Sequence, residues 1–398
     1  MQINRALIAG GGIGGLAAAL ACSRAGVQVD LFERSTECTE VGAGIQLSPN
    51  VVRILDDWGL KDAVADVAAF PDRLQVRSAI SGAELGVLRL GSVALARYGS
   101  PYATIHRGDF HALLRNALKA QEGVQLNAGS LVSGFLQNEE GVTLHMADGH
   151  KAQGDILIGA DGLWSRVRQQ LLNDGTPRVT GHLAYRALVR QSSLPEELRS
   201  QQVTAWLGPR LHVVQYPVRG GEWLNVVAIV HGRMYGDAAY WDHSASSVEL
   251  RRIMAATCSP LQSLIHAIVD WRLWALSIRE PMRGAHEQAQ GRVALLGDAA
   301  HPMLPYLAQG AGMAIEDAHA LVRVLAQTGA PICDVPKLLS QYAHQRWQRN
   351  ARVQARAIRN GRIFHATGVV QWGRDAAMKL LGERLLDVPW LYRGEGGR

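Results

Sequence analysis

Three glycines near the start of the chain have the spacing of a phosphate-binding turn. Gly10, Gly12 and Gly15 form the pattern G-x-G-x-x-G after a short apolar run, and an acid, Glu33, follows about twenty residues later. In such a turn the first glycine permits the tight bend, the second lets a pyrophosphate approach the backbone, and the third lets helix and strand pack closely. The helix N-terminus attracts phosphate, and the carboxylate accepts hydrogen bonds from a ribose diol. The pattern predicts dinucleotide binding.

A β-α-β unit must position these glycines. The run RALIAG, residues 5–10, predicts a buried parallel strand, and VQVDLFER, residues 27–34, predicts a second one. Between them, LAAALACSRAG predicts a helix that ends at Gly26. The unit is complete, but its spacing does not distinguish NAD from FAD.

Composition indicates an ordinary globular protein with room for two domains or for one domain with a large insertion. The chain has 398 residues, of which 47% are hydrophobic and 19% charged. Its formal charge is +6, and the basic stretch 346–362 predicts a solvated helix face instead of a nucleic-acid-binding arm. We therefore expect no nucleic-acid partner.

Cysteine usage and hydropathy indicate a reducing compartment. The four cysteines, at positions 22, 38, 258 and 333, show neither a CxxC spacing nor a histidine pattern for zinc, so we expect no disulfide framework and no metal. No leader peptide and no apolar stretch of about 18 residues is visible. The expected location is cytoplasmic, without membrane contact.

The remaining chain alternates between two kinds of pattern. Helices are predicted from about Pro49 to Trp58, from His106 to Leu118 and from about Val335 to Ile363. GDILIGADGLWSRVRQQL predicts a strand, a turn at Asp161-Gly162 and a helix. Between about 180 and 283, alternating stretches around a Gly-Gly turn predict antiparallel hairpins. The fold class is therefore α/β: a Rossmann-like domain in separate pieces, an inserted antiparallel β-sheet domain and C-terminal helices.

Three motifs in order resemble those of one family: GGGIGG at residues 10–15, Asp161-Gly162, and Gly297-Asp298. Over roughly residues 1–365 the sequence resembles the group A flavoprotein monooxygenases, which are single-component aromatic hydroxylases with the p-hydroxybenzoate hydroxylase fold. The nearest subgroup contains salicylate, 3-hydroxybenzoate and 6-hydroxynicotinate hydroxylases. The resemblance implies an FAD-binding domain at residues 1–72, 98–180 and 284–365, a substrate-binding sheet domain at 73–97 and 181–283, and a helical tail at 366–398.

The resemblance also implies which residues bind the cofactor. The first glycines and Glu33 would hold the ADP half of FAD, whereas Arg107 and Asp298 match residues that reach the ribityl chain. A carboxylate at a strand end and a helix starting near Gly310 also suit such a ligand on physical grounds. The full set of expected cofactor-binding residues is Gly10, Gly12, Ile13, Gly14, Gly15, Glu33, Arg34, Gln46, Leu47, Arg107, Asp161, Asp298, Pro305, Gly310, Ala311 and Gly312.

His212 and Tyr216 are the expected catalytic pair. They lie four residues apart, so on a strand both side chains face the same side, about 13 Å apart unless the strand bends. They match a His and a Tyr that contact the ring hydroxyl in the 3-hydroxybenzoate and 6-hydroxynicotinate hydroxylases. A histidine with a pKa near neutral accepts the phenolic proton, and the tyrosine orients the oxygen or relays that proton.

The other expected substrate-binding residues are Pro305, Met303 and, for a carboxylate, Arg186. The 3-hydroxybenzoate enzymes have a glutamine where this chain has Pro305, and the segment HPMLPYLAQG resembles the salicylate-type hydroxylases. Arg210 is a second candidate cation for the carboxylate. His301 and Tyr306 are candidates for lining the same pocket.

The implied reaction is hydroxylation of a phenolic or hydroxylated heteroaromatic acid by FAD, O2 and NADH or NADPH, through a flavin C4a-hydroperoxide. The alternatives are a non-catalytic flavin-binding protein and a flavin-dependent halogenase-like enzyme, although the W-x-W-x-I-P motif of such halogenases is missing. The partner is a small aromatic molecule, and the assembly is a monomer or a homodimer.

Overall fold

The chain forms two compact units in a computed structural model that describes residues 3–36, 43–233, 243–244, 246–326 and 334–394. Unit 1 comprises Met1–Glu40, Phe110–Arg178 and Ile278–Ala357. Unit 2 comprises Val41–Asp109, Val179–Ser277 and Ile358–Arg398. Cys22 and Cys258 have free thiols, whereas Cys38 and Cys333 lie outside the described residues.

The strands of the described residues are, in chain order, β1 Arg5–Ala9, β2 Gln28–Glu33, β3 Gly44–Leu47, β4 Ala68–Ala69, β5 Arg73–Ser78, β6 Glu84–Arg89, β7 Ala103–His106, β8 Val124–Ala128, β9 Val132–Gln137, β10 Val142–Met146, β11 Lys151–Gly154, β12 Ile156–Gly159, β13 Arg178–Arg190, β14 Val203–Gly208, β15 Leu211–Val218, β16 Trp223–His231, β17 His243–Ser244, β18 Arg272–Ile278, β19 Ala289–Gln290 and β20 Val293–Leu295.

The α-helices of the same residues are α1 Ile13–Arg24, α2 Pro49–Asp57, α3 Lys61–Val67, α4 Gly91–Tyr98, α5 Arg107–Lys119, α6 Arg166–Leu172, α7 Ser247–Met254, α8 Ser259–Ala267, α9 Gly310–Leu325, α10 Val335–Phe364, α11 Gly368–Leu381, α12 Glu383–Leu386 and α13 Pro389–Tyr392. The helices predicted near residues 49, 106 and 335 are present, and the C-terminal end of each lies one residue from the predicted end. The strand β7 includes His106, so α5 begins at Arg107.

Unit 1 contains a six-stranded sheet in the order β19-β20-β12-β1-β2-β8. All pairs are parallel except β19 with β20. The strand β1 lies between β12 and β2, and its residues from Ala6 to Ala9 are fully buried, which explains its continuous apolar run. The helix α1 ends before Gly26, which has a left-handed φ of +79°. The predicted β-α-β unit is confirmed.

Unit 2 contains an eight-stranded sheet in the order β17-β18-β13-β16-β15-β14-β5-β6. The strands β15 and β16 form an antiparallel hairpin whose connection includes Gly220 and Gly221, both with positive φ. The predicted Gly-Gly hairpin is therefore confirmed. A second, three-stranded sheet of this unit has the order β3-β7-β4.

A buried charge network ties α9 to α10 inside unit 1. Arg346 Nε donates to Asp317 Oδ1 at 2.8 Å and Arg346 Nη1 donates to Glu316 Oε2 at 2.9 Å. His301 Nε2 is also hydrogen-bonded to Asp317, and His301, Asp317 and Arg346 have no exposed side-chain surface. The prediction of a solvated face for residues 346–362 is wrong at Arg346, because this arginine turns inward to carboxylates that are distant in sequence.

Among the described residues, no helix is long and apolar enough to cross a bilayer.

The Asp317 network yields a stability prediction. The substitution Asp317→Asn leaves the buried guanidinium of Arg346 with less compensating charge, so we expect it to lower the free energy of unfolding by about 3 kcal/mol. Thermal unfolding followed by circular dichroism measures the effect as a lower Tm. The control Asp148→Asn removes an exposed carboxylate beside His150 and should leave Tm unchanged. Equal Tm values for Asp317→Asn and the unsubstituted chain would contradict a structural role.

Candidate active site

The predicted nucleotide-binding motifs meet at one edge of the unit 1 sheet. Four adjacent strands, β20, β12, β1 and β2, run parallel, so their carboxyl ends lie together. Gly297-Asp298 follows β20, Asp161-Gly162 comes soon after β12, Gly10 follows β1, and Glu33 ends β2. Ligands of open α/β sheets bind at this edge.

The glycines leave a close-packed turn with one open side. Gly10 has a φ of +103°, and a Cβ there would lie 2.4 Å from the carbonyl oxygen of Ala160. A Cβ on Gly15 would lie 1.8 Å from the carbonyl oxygen of Gly10. At Gly12, by contrast, a Cβ would meet no heavy atom within 4 Å, and this residue is the N-cap of α1. The backbone is thus accessible where a pyrophosphate would approach, so these residues fit the ADP half of FAD.

Glu33 is held at the edge by backbone donors. Its Oε2 accepts the N–H of Gly11 at 2.6 Å, and its Oε1 accepts the N–H of Ser35 at 2.9 Å. Arg34 beside it is exposed. His111 Nε2 is hydrogen-bonded to the carbonyl oxygen of Gly11 at 2.8 Å, and the ring is buried. Sequence reasoning missed His111, because this contact joins residues that are 100 positions apart.

Asp161 uses both carboxylate oxygens to start α6. Its Oδ1 accepts the Ser165 hydroxyl at 2.5 Å, and its Oδ2 accepts the N–H groups of Arg166 at 2.8 Å and Val167 at 3.2 Å. Burial raises the pKa of Asp161, although these hydrogen bonds favour the carboxylate. The local role is helix capping, and cofactor binding by Asp161 stays a prediction.

Asp298 lies beside the start of α9. It is exposed after β20, and a Cβ on Gly310 would lie 3.9 Å from Asp298 Oδ1. The helix begins at Gly310, as predicted, and its first turn includes Ala311 and Gly312. Asp317 Oδ2 accepts the N–H of Gly297 at 3.2 Å, so the buried charge network also fixes the segment that carries Asp298.

The connection between β20 and α9 contains the predicted Met303 and Pro305. Both are partly exposed, and Pro305 opens a short 3-10 turn, Pro305–Leu307. His301 and Tyr306, the two other candidates in this segment, are buried. Since His301 is engaged with Asp317, its role in the structure is to support this segment.

In unit 2, the strand register sorts apolar from polar side chains. Leu183, Tyr185 and Ala187 of β13 point to a hydrophobic core, together with their alternate counterparts on β15 and β16. The helices α7 and α8 supply the other side of this core. The opposite face of the sheet, which we call the ring face, carries His182, Arg186, His212, Tyr216, Asn225 and His231. The predicted His212 and Tyr216 therefore share a face, together with the predicted Arg186.

Tyr216 lies in a hydrogen-bonded group with Gln46. The Tyr102 hydroxyl donates to Gln46 Oε1 at 2.5 Å, and the Gln46 side chain is also hydrogen-bonded to Tyr216. A Cβ on Gly44 would lie 2.5 Å from Tyr216 Cε2, so the ring packs directly on this glycine. Burial raises the pKa of Tyr216 well above its usual range. Tyr216 therefore keeps its proton and is a donor.

Arg186 and Asn225 present buried donors that have no partner among the described residues. These donors are Arg186 Nε and Asn225 Nδ2. The Arg186 guanidinium lies over the Trp274 ring, 4.7 Å from its centroid, and Asn225 Oδ1 already accepts the N–H of Gly44 at 2.7 Å. Burial and the nearby Arg107 lower the pKa of Arg186 to about 10, so it stays charged at neutral pH. Sequence reasoning missed Asn225, although a single polar residue inside the apolar run LNVVAIV of β16 was a usable signal.

The expectation of a near-neutral pKa for His212 is wrong. The side chain is 2% exposed, and burial together with the nearby His182 lowers its pKa to about 3. Its Nδ1 is hydrogen-bonded to His365 Nε2 at 2.7 Å. The sequence could not indicate this partner, which is 153 residues away. At neutral pH His212 is an uncharged imidazole with an acceptor nitrogen.

Three predicted cofactor residues belong to unit 2. Gln46 contacts the tyrosines described above, and Leu47 is fully buried. Arg107 is exposed at the start of α5, where its N–H donates to the carbonyl oxygen of Ala43 at 2.8 Å. Arg210, the second candidate cation, is exposed and has a positive φ of +57°.

Sequence comparison identifies a family and close relatives. A family model described as an FAD binding domain matches residues 4–357. The 3-hydroxybenzoate 6-hydroxylase of Klebsiella oxytoca is 37% identical over 393 residues, which cover 98% of this chain and 97% of that protein. The 6-hydroxynicotinate 3-monooxygenase of Bordetella bronchiseptica is 37% identical over 351 residues, with 88% and 89% coverage.

Solved structures agree with this assignment. A salicylate hydroxylase in complex with its substrate has 30% identity and a TM-score of 0.82, and covers 98% of this chain and 95% of its own. HpxO from Klebsiella pneumoniae, in complex with FAD and uric acid, has 27% identity and a TM-score of 0.83, with 96% and 94% coverage. The relatives named above are hydroxylases and a monooxygenase, which supports neither a halogenase nor a non-catalytic protein. The chain belongs to the FAD-binding-domain family and is an FAD-dependent aromatic monooxygenase.

Proposed function

We propose that this enzyme hydroxylates a small aromatic acid that carries a ring hydroxyl, with unit 1 binding FAD and the ring face of unit 2 binding the substrate. The observation that carries the proposal is a pair of buried donors, Arg186 Nε and Asn225 Nδ2, which find no acceptor in the described part of the chain. They lie beside Tyr216 and on the same face as His212. Such donors are costly to bury unless a ligand supplies acceptors.

The names of the relatives support this substrate class. The two compounds in these names, 3-hydroxybenzoate and 6-hydroxynicotinate, each combine a carboxylate with a ring hydroxyl. One end of such a molecule needs a cation and the other needs a proton acceptor. The ring face offers a cation at Arg186 and a neutral imidazole at His212.

Arg186 binds the carboxylate in this proposal. Its guanidinium stays charged, and stacking on Trp274 fixes the plane of the group. Asn225 Nδ2 supplies a further donor, held by the Gly44 contact of its Oδ1. Tyr216 remains protonated and donates to a substrate oxygen, so it orients the ring and does not carry the proton.

His212 accepts the hydroxyl proton of the substrate in the same proposal. Removing this proton makes the ring electron-rich, which favours attack on an electrophilic oxygen. When bound, FAD that has been reduced by NADH or NADPH activates O2 and supplies that oxygen atom. The residues of this chain orient the ring and move its proton.

The proposal also assigns individual residues to cofactor and substrate. Gly10–Gly15, Glu33, Asp161, Asp298 and the first turn of α9 bind FAD, whereas Met303 and Pro305 contact the substrate. The reductant is NADH or NADPH, bound transiently as a cosubstrate. The enzyme is a cytoplasmic monomer or homodimer, and sedimentation of the purified flavoprotein distinguishes these two states.

A substrate panel tests the proposed function. The purified yellow enzyme is supplied with NADH or NADPH and with salicylate, 3-hydroxybenzoate, 4-hydroxybenzoate or 6-hydroxynicotinate. We expect one of these acids to stimulate NAD(P)H oxidation and to give a product one oxygen atom heavier by mass spectrometry. Loss of the carboxyl group as well would identify salicylate-type chemistry. Bound FAD without stimulation by any acid would contradict the proposed substrate class.

Arg186 provides the first mutational prediction. The substitution Arg186→Gln removes a charge-assisted interaction of about 1.5–3 kcal/mol, so we expect KM for the aromatic acid to rise about 10- to 100-fold. The matched control is Arg190→Gln, which changes an exposed arginine that stacks on Trp223 of the neighbouring strand. KM of this control should stay within about twofold of the original value. An unchanged KM for Arg186→Gln would remove Arg186 from the carboxylate site.

His212 provides the second mutational prediction. The substitution His212→Asn keeps a polar group but removes the base, so we expect hydroxylation to slow about 100-fold or more. The two electrons taken from each NAD(P)H should then mainly reduce O2 to hydrogen peroxide, which is measured together with the hydroxylated product. The control His266→Asn changes an exposed histidine of α8. If His212→Asn gave as much product per NAD(P)H as the unsubstituted enzyme, His212 would not be the base.

A further inference from the structure

Three histidines of unit 2 form a continuous hydrogen-bonded chain that ends at the protein surface. His212 Nδ1 is 2.7 Å from His365 Nε2, and His365 Nδ1 is 2.9 Å from His231 Nε2. His212 is 2% exposed and His365 is 6% exposed, whereas His231 belongs to the exposed residues. These hydrogen bonds thus connect His212, the buried proton acceptor of the ring face, to solvent at His231.

The backbone holds the middle and outer rings in place. His365 follows directly after α10, and its N–H donates to the carbonyl oxygen of Gly361 at 3.2 Å. Its own carbonyl oxygen accepts the N–H of Arg210 at 3.1 Å, and the carbonyl oxygen of Arg210 accepts the N–H of His231 at 3.2 Å. Arg210 therefore links the two histidines through its main chain, in the turn where its φ is positive.

The chemistry of imidazole makes such a chain a proton conductor. A neutral imidazole has one donor nitrogen and one acceptor nitrogen, so a ring can accept a proton on one side while it gives one up on the other. A proton received at His212 Nε2 releases the Nδ1 proton to His365 Nε2. His365 in turn releases its Nδ1 proton to His231 Nε2. The positive charge then resides on the exposed ring, and both buried rings stay neutral.

We propose that His365 and His231 conduct the substrate's hydroxyl proton from His212 to solvent. This inference rests on the proposed role of His212 as the base. In each ring one N–H bond forms and one breaks, no oxidant or reductant is needed, and the proton leaves from His231 to water or buffer.

The surroundings favour transfer over storage of the proton. Burial and the other histidines lower the pKa of His365 to about 2. Near neutral pH, neither His365 nor His212 therefore retains a second proton in addition to the one that a neutral imidazole carries. Arg374 of α11 and His182 also face His365 electrostatically and disfavour a charged ring there. His182 stacks on His231 at 4.5 Å, and burial and Arg210 lower the pKa of His231. His231 is therefore neutral at pH 7 and able to accept.

Two variants interrupt the chain at different points. His231→Ala removes the exposed acceptor and leaves space for a small base from solution. His365→Gln retains a donor and an acceptor for the two hydrogen bonds, but an amide does not pass a proton on. The control His266→Gln changes an exposed histidine of α8 that takes part in neither of the two hydrogen bonds. FAD content and Tm of each variant report whether it is folded.

The readouts are the single-turnover rate of product formation and the product formed per NAD(P)H, each measured against pH. We expect both relay variants to lose at least about tenfold in rate, because a positioned proton acceptor contributes this much or more. Added imidazole should restore His231→Ala but not His365→Gln, whose site is buried. In the unsubstituted enzyme the rate should fall as acid protonates His231, and this dependence should vanish in His231→Ala. His266→Gln should stay within about twofold.

The outcomes separate this inference from the proposed function. Unchanged rates and an unchanged pH profile in folded His231→Ala and His365→Gln, while the original enzyme hydroxylates its substrate, would overturn the relay alone. The relay would also be overturned if both variants were slow but imidazole did not rescue His231→Ala and the pH profile stayed unchanged. That result would indicate a structural role for these histidines. If the original enzyme hydroxylated no aromatic acid of the panel, the proposed base and the relay would fail together.

Discussion

The register of β13, β15 and β16 decides which side chains of unit 2 can take part in chemistry. Successive residues of a strand point to opposite faces, so one antiparallel register places Leu183, Tyr185 and Val213 in the core and Arg186, His212 and Tyr216 on the ring face. A shift of one residue would bury the arginine and the histidine among leucines. The burial of the core side therefore fixes the polar site, because the hydrophobic face tolerates no other register.

A different constraint, close backbone approach, organises unit 1. Gly10 and Gly15 have no room for a Cβ, so α1 starts close against β1 and its N-terminus points at the sheet edge. The buried carboxylate of Asp317 fixes the neighbouring segment through the N–H of Gly297. Burial alone would raise the pKa of Asp317, but its contacts with His301, Arg346 and Asn350 hold this pKa well below its usual range, so the anchor stays ionised and paired. Both devices position backbone and carboxylate groups at the edge of the unit 1 sheet, where the predicted cofactor-binding motifs lie.

The sequence predicted those features whose cause is local. The β-α-β unit, the helix starting at Gly310 and the hairpin with Gly220 and Gly221 follow from periodicity and glycine placement, and all three are present. Of the residues named from motifs, Gly10, Glu33, Asp161 and Asp298 lie at or just after strand ends, and Arg186, His212 and Tyr216 lie on the ring face. The unforeseen contacts connect distant segments: His111 with Gly11, Arg346 with Asp317, and His365 with His212. Side chains that meet only through tertiary packing leave no periodic pattern in the chain.

Burial makes His212 a far weaker base than a solvated histidine, and this property constrains when the substrate loses its proton. A ring face that keeps His212 and Tyr216 neutral and Arg186 charged is matched by a substrate with one negative charge. In the proposed substrate the carboxylate supplies that charge. A phenolate formed in advance would add a second, poorly compensated charge in a dry environment, which is unfavourable. In the proposed function the hydroxyl proton therefore leaves as the ring attacks oxygen, and a base that does not retain this proton needs an outlet. In this chain the outlet begins at the nitrogen of His212 that bonds to His365.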